Sequence, residues 1–292
     1  MSWIFEALQQ AELDRTGFIA PGHRAATELL RAAEKNPEEG QDLREPFQEK
    51  PSLHPAIPAE SHLVAVAQPW SVGAEKFRFL ALRLRQLQQH RCLQKLLITS
   101  TVPEEGKSFV SANLALTLAR KREQRVLLVE GDLRRPVLAA NLGIGNHTGL
   151  SECLLGMRRL SSAVHYIEDL KLWFLPAGHP PEDPVEAMQS GQLMKSLDAL
   201  RPSFDWIVID SPPLLPLADT SVWSRVVDGT LIITRQGRTK KRELQRGIEM
   251  LDKSSILGVV INDCSSAEQN NHFERYGYNL KNADSEVPKS NA

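Results

Sequence analysis

Cysteine is scarce: Cys92, Cys153 and Cys264 stand far apart among 292 residues, with no CxxC spacing. They supply neither a disulfide framework nor a thiolate zinc site, and read as inert thiols in a reducing compartment. The eight histidines show no HExxH or paired spacing, so no structural metal is expected. Long apolar runs are also missing. No stretch approaches the roughly 18 apolar residues of a membrane helix. The opening MSWIFEALQQAELDR has no basic start ahead of an apolar run, so no secretory signal is expected and the setting reads as cytoplasmic. Net charge is nearly absent, with 35 Lys+Arg against 36 Asp+Glu. That balance removes nonspecific nucleic-acid binding as a default. Tyrosine is rare as well, and two of the three, Tyr276 and Tyr278, stand almost together near the end.

What is present fits a folded chain: 41% hydrophobic and 24% charged residues, within the ordinary globular range. At roughly 150 residues per domain, one or two domains are allowed. Residues 1–69 read as an N-terminal arm and linker. Ile4, Ala7, Leu8 and Ala11 behind Ser2 suggest a short amphipathic helix over 3–14, and a second helical stretch spans 25–35. Prolines 37, 46, 51, 55, 58 and 69 then fall among many charges, as in an extended linker. With 11 acids and 6 bases in residues 1–60, this arm reads either as a mobile tail or as a docking segment.

From Ser71 the pattern alternates. A helix is expected over 74–90, and apolar runs follow at 96–99, 126–129, 172–175, 206–209, 230–234 and 257–261. Helical stretches at 108–122, 193–201, 220–227 and 240–253 separate them. Short continuous apolar runs suit strands buried on both faces, and their alternation with helices predicts a doubly wound, mostly parallel α/β sheet of P-loop NTPase type over 70–265. Ligands in such sheets bind outside the carboxyl ends of the strands. Residues 266–292 read as a disordered tail.

The segment LLITSTVPEEGKSFVSANLALTLA joins a buried strand to a helix through a tight loop. A phosphate loop needs that order, because backbone N–H groups and the helix N-terminus hold phosphate oxygens. Gly106 permits close approach, Lys107 reaches the outer phosphates, and the Ser108 hydroxyl suits Mg²⁺. Thr101 stands where the usual pattern opens with glycine, so the strict motif fails by one residue. Two further apolar strands end in acids, Glu130 with Asp132 and then Asp210. Carboxylates at neighbouring strand ends converge on a metal and the reacting hydroxyl or water.

Three segments together resemble the bacterial tyrosine kinases of the capsule and exopolysaccharide machinery: Pro103-Glu104-Glu105-Gly106-Lys107-Ser108, Glu130-Gly131-Asp132-Leu133-Arg134-Arg135-Pro136, and Asp210-Ser211-Pro212-Pro213. The likeness runs from about Glu75 to Tyr278. It implies ATP and Mg²⁺, with Val102, Pro103, Glu104, Glu105, Gly106, Lys107, Ser108 and Phe109 around the phosphates. Ser108, Asp132 and Asp210 would hold the metal, and Lys107, Glu130, Asp132 and Asp210 would serve catalysis. Tyr276 and Tyr278 would accept phosphate. Asn262 matches a base-reading position, although an ordinary strand-end asparagine fits equally.

Departures from the family pattern are also visible. Glu104 replaces a usual glycine, Glu130 replaces aspartate, and Ala81 breaks the assembly motif begun by Glu75 and Arg78. The resemblance further implies a homo-oligomer and a separately encoded membrane adaptor of chain-length-determinant type, with recruitment to the inner face of the membrane. No nucleic-acid partner is expected. Two other functions remain open at this point: a positioning or partitioning ATPase, whose signature lysine is replaced here by Val102, and a nucleotide-binding scaffold with weak turnover.

Overall fold

The computed structural model describes residues 52–58, 61–121, 124–145, 147–189, 191–215 and 219–264. The chain divides into units 1–43 and 44–292, and the described residues all belong to the second. The expected helices at 3–14 and 25–35, and Tyr276 and Tyr278, lie outside them.

Eight strands make one sheet: β1 Ser52–Leu53, β2 Lys95–Ser100, β3 Val126–Glu130, β4 His165–Ile167, β5 Leu172–Leu175, β6 Trp206–Asp210, β7 Gly229–Arg235 and β8 Ile256–Asn262. Their order is β1-β4-β5-β3-β6-β2-β7-β8, and every pair is parallel except β4 with β5. All six strands expected from the apolar runs are present. Each central strand feeds two cores. Leu96, Ile98, Leu128 and Val208 join one, whereas Leu97, Leu127, Val129, Ile207 and Ile209 join the other. Alternate side chains point to opposite faces, so covering both faces requires the unbroken apolar runs seen in the sequence.

Helices α1 Val64–Ala67, α2 Val72–His90 and α3 Lys107–Ala119 serve the first core. Ser71 starts α2 by accepting the Ala74 N–H at 3.2 Å, an N-cap interaction. Helix α3 is buried almost all round from Val110 to Ala119, which explains its lack of a polar face. The second core is closed by α5 Leu150–Leu154, α7 Pro184–Gln189, α8 Gln192–Leu200 and α9 Asp219–Ser224. Helix α10 Lys241–Glu249 lies over Leu214, Ile232 and Leu251. The short α4 Leu138–Asn141 and α6 Leu160–Ala163 complete the set of described helices.

One boundary needs correction. Residues 52–58 and 61–69 were expected in the linker, but they are part of the fold. Strand β1 pairs with β4, Leu63 and Ala65 are buried, and the Ala65 N–H donates to Asn113 Oδ1 at 2.9 Å. The proline-rich composition favours extended chain, and the short edge strand β1 uses that conformation.

Candidate nucleotide and phosphoryl-transfer site

Strands β3, β6, β2, β7 and β8 are successive neighbours, so the loops leaving their carboxyl ends gather in one place. The loop from Thr101 to Gly106 links β2 to the N-terminus of α3. Gly106 has φ +89°, and a Cβ there would sit 2.1 Å from Asn262 Nδ2. Both conditions call for glycine. Glu104 also has a left-handed backbone, φ +66°, at the position where the sequence departs from glycine. Its carboxylate meets Arg238 Nη2 at 2.5 Å on the surface. Glu105 turns inward and is wholly buried. Its Oε2 accepts the Val102 N–H at 2.9 Å and its Oε1 meets the Thr239 hydroxyl.

The charged centre is compact. Lys107 Nζ lies 3.0 Å from Asp132 Oδ2 and 4.0 Å from Asp210 Oδ2. Ser108 Oγ donates to Asp210 Oδ2 at 2.6 Å, and Ser111 Oγ is 3.1 Å from Oδ1. Burial works against the Lys107 ammonium, but the charges of Asp210 and Asp132 outweigh it and hold the pKa above its ordinary value. For Asp210 burial dominates and pushes the carboxyl up, against the pull of Lys107 and the Ser108 hydroxyl. This is the electrostatic arrangement of a cation held ready for anionic oxygens.

A cleft of about 490 Å³ opens over this centre. Of the sequence-expected residues, Pro103, Glu104, Gly106, Lys107, Ser108, Phe109 and Asp132 line it. Asp210 lies buried beneath, bonded to Ser108. Val102 and Glu105 belong to the loop but do not line the cleft, and neither does Asn262, whose amide donates to the Glu105 carbonyl at 3.1 Å. The structure does not bring Glu130 to the cleft wall. Its carboxylate is committed to the backbone N–H groups of Leu138, Ala139 and Ala177, at 2.5, 3.3 and 3.2 Å. Those bonds join the end of β3 to α4 and to the end of β5. Burial raises the Glu130 pKa, and the three backbone donors oppose that.

Sequence reasoning missed three contributors. Ser111 is one helical turn from Lys107, so the i, i+4 spacing could have found it. Arg134 makes a two-bonded pair with the buried Asp219, at 2.8 and 3.2 Å, which fixes the segment after Asp132. Thr239 carried no local signal, because it reaches Glu105 only through the fold. Away from the cleft, Glu75 and Arg78 of the expected assembly motif pair with each other, and Ala81 is buried in the core.

A mostly parallel sheet with a glycine-turned loop after β2, a lysine at the helix start and an acid on the adjacent strand is the fold of the P-loop NTPases. The same fold occurs in cobyrinic acid a,c-diamide synthase from Mycobacterium smegmatis, solved with an ATP analog and magnesium. That match has a TM-score of 0.51 at 19% identity, covering 64% of this chain and 82% of that one, and it is a likeness of fold alone. Within this class the chain is similar to bacterial tyrosine-protein kinases. It is 29% identical to the tyrosine-protein kinase YwqD of Bacillus subtilis over 221 residues, covering 75% of this chain and 91% of the relative. It superposes on the kinase domain of the Escherichia coli tyrosine kinase ETK with a TM-score of 0.66 at 28% identity, over 75% of this chain and 86% of that one. Two longer relatives are matched over 23% and 30% of their length. No protein-family model matches the chain.

Proposed function

We propose that this chain is an ATP-dependent tyrosine autokinase of capsule or exopolysaccharide polymer production, with Tyr276 and Tyr278 as its acceptors. The observation that carries the reading is the placement of Lys107 between Asp132 and Asp210 at the N-terminus of α3, with the Ser108 hydroxyl beside them. Phosphoryl transfer asks the protein mainly for positioning and charge neutralisation. The Lys107 ammonium neutralises phosphate oxygens, and the backbone N–H groups at the start of α3 point at them. The oxygen donors Ser108, Asp132 and Asp210 suit a small hard cation that keeps most of its ligands as water and phosphate. They would hold Mg²⁺, which would supply charge neutralisation to the phosphates. Asp132, on the cleft wall, accepts the proton of the incoming tyrosine hydroxyl. Glu130 positions the Asp132 segment through its backbone bonds and does not touch the reacting atoms. Asn262 supports the phosphate loop and reads the base with its remaining amide oxygen.

The partners that fit this activity are further copies of the chain and a separately encoded membrane adaptor of chain-length-determinant type. None of the described helices is long and apolar enough to cross a membrane. The test compares phosphotyrosine formed by purified native chain, Lys107→Ala and Asp132→Asn in Mg²⁺ and ATP. Lys107→Ala should form none. Asp132→Asn should keep nucleotide binding and lose about 10²- to 10⁴-fold in rate, the usual worth of a general base. Phosphate release by the native chain without phosphotyrosine would favour the positioning-type ATPase instead.

A further inference from the structure

The turn after β7 grips the phosphate loop at two successive residues, and none of the roles assigned above uses it. Thr239 bonds the buried Glu105, and the Arg235 N–H donates to the Thr239 hydroxyl at 3.0 Å. One residue earlier, Glu104 occupies its left-handed backbone and sends a 73% exposed carboxylate to the lip of the cleft. An acid there faces the path of an incoming polyphosphate, where like charges repel. Arg238, beside Thr239, closes on that carboxylate at 2.5 Å.

We infer that Arg238 is a positioning residue for the nucleotide: it holds the Glu104 carboxylate at the lip and cancels its charge, so that the loop can carry an acid where glycine would be the simpler choice. The inference rests on the reading of the cleft as a nucleotide site. Magnitudes separate this role from a structural one. Both partners are substantially exposed, 47% for Arg238 and 73% for Glu104, and an exposed pair contributes little to folding. A bare carboxylate beside two or three phosphates acts on binding instead, and salt screens that effect.

The experiment is a double-mutant cycle on the full chain, with MgATP affinity measured by calorimetry at low and high salt. The four proteins are the native chain, Arg238→Ala, Glu104→Gln and the double variant, with melting temperatures recorded for each. Glutamine keeps a side chain at the left-handed residue and removes only the charge. Arg238→Ala should bind MgATP about fivefold more weakly at low salt, a loss on the scale of one exposed charge pair. High salt should recover most of that loss, and the melting temperature should stay unchanged. In the Glu104→Gln background, Arg238→Ala should cost nothing further. An equal loss in both backgrounds would overturn the inference, because Arg238 would then act on the phosphates themselves. No loss in the single variant would overturn it too. A native chain that binds no MgATP would overturn the nucleotide site and this role with it. Native binding with purely additive variants would overturn this role alone.

Discussion

Asp210 sits where a carboxylate is costly, wholly buried, and is kept there by Lys107 and two serine hydroxyls. Burial raises its pKa in the folded chain. A carboxyl raised in this way adds stability below its ordinary value of 3.8, and that stability is lost as pH climbs to the raised value. Asp210→Asn removes the dependence. The melting temperature of the variant relative to the native chain should therefore increase as pH rises from about 4 towards neutrality. The same variant should lose the Mg²⁺ dependence of nucleotide binding. A constant difference in melting temperature across that range would show that Lys107 fully offsets the burial. At this scale the sequence was legible wherever chemistry sits on a local motif: Lys107, Ser108, Asp132 and Asp210 all meet at the centre. Glu130 was misplaced because its position at the end of β3 matches the motif, while its orientation is decided by Leu138, Ala139 and Ala177.

Among elements, the loop between β2 and α3 carries the tightest constraint. Gly106 combines φ +89° with a contact that leaves no room for a Cβ beside Asn262. The left-handed backbone alone costs a non-glycine residue roughly 1–2 kcal/mol, and the clash adds to that. Gly106→Ala should lower stability by about 1–3 kcal/mol in urea denaturation and abolish nucleotide binding; a variant with native stability and affinity would contradict the loop geometry. Five of the six expected strands were legible because burial leaves continuous apolar runs, whereas the edge strand β8 is apolar though partly exposed. Of the helices expected between them, only α9 is as short as six residues. Strands β1 and β4 escaped, since two or three residues show no period. The four- to six-residue helices α1, α4, α5, α6 and α7 escaped for the same reason. Helix α10 ends at Glu249, short of the expected 253, and a separate 3₁₀ turn at Lys253–Ser255 leads into β8.

For the molecule as a whole, the domain begins earlier than composition suggests. Proline and charge marked residues 36–69 as linker, yet β1 extends the sheet beyond β4 and α1 covers α3 through Leu63 and Ala65. A chain beginning at Ser71 should melt well below one beginning at Ser52, because it exposes part of the first core and leaves Asn113 without the Ala65 N–H. Equal melting temperatures would return that segment to the linker. The doubly wound topology was foreseeable from alternation alone, since parallel strands need crossovers and crossovers bring strand ends together. Tyr276 and Tyr278, the acceptors proposed above, lie outside the described residues, and their phosphorylation is the central claim. Mass-spectrometric mapping of phosphate on the purified full chain, after incubation with Mg²⁺ and ATP, tests that claim most directly. The account predicts phosphotyrosine at Tyr276 and Tyr278, absent in Lys107→Ala. A native chain that binds and turns over ATP while both tyrosines stay unmodified would contradict it.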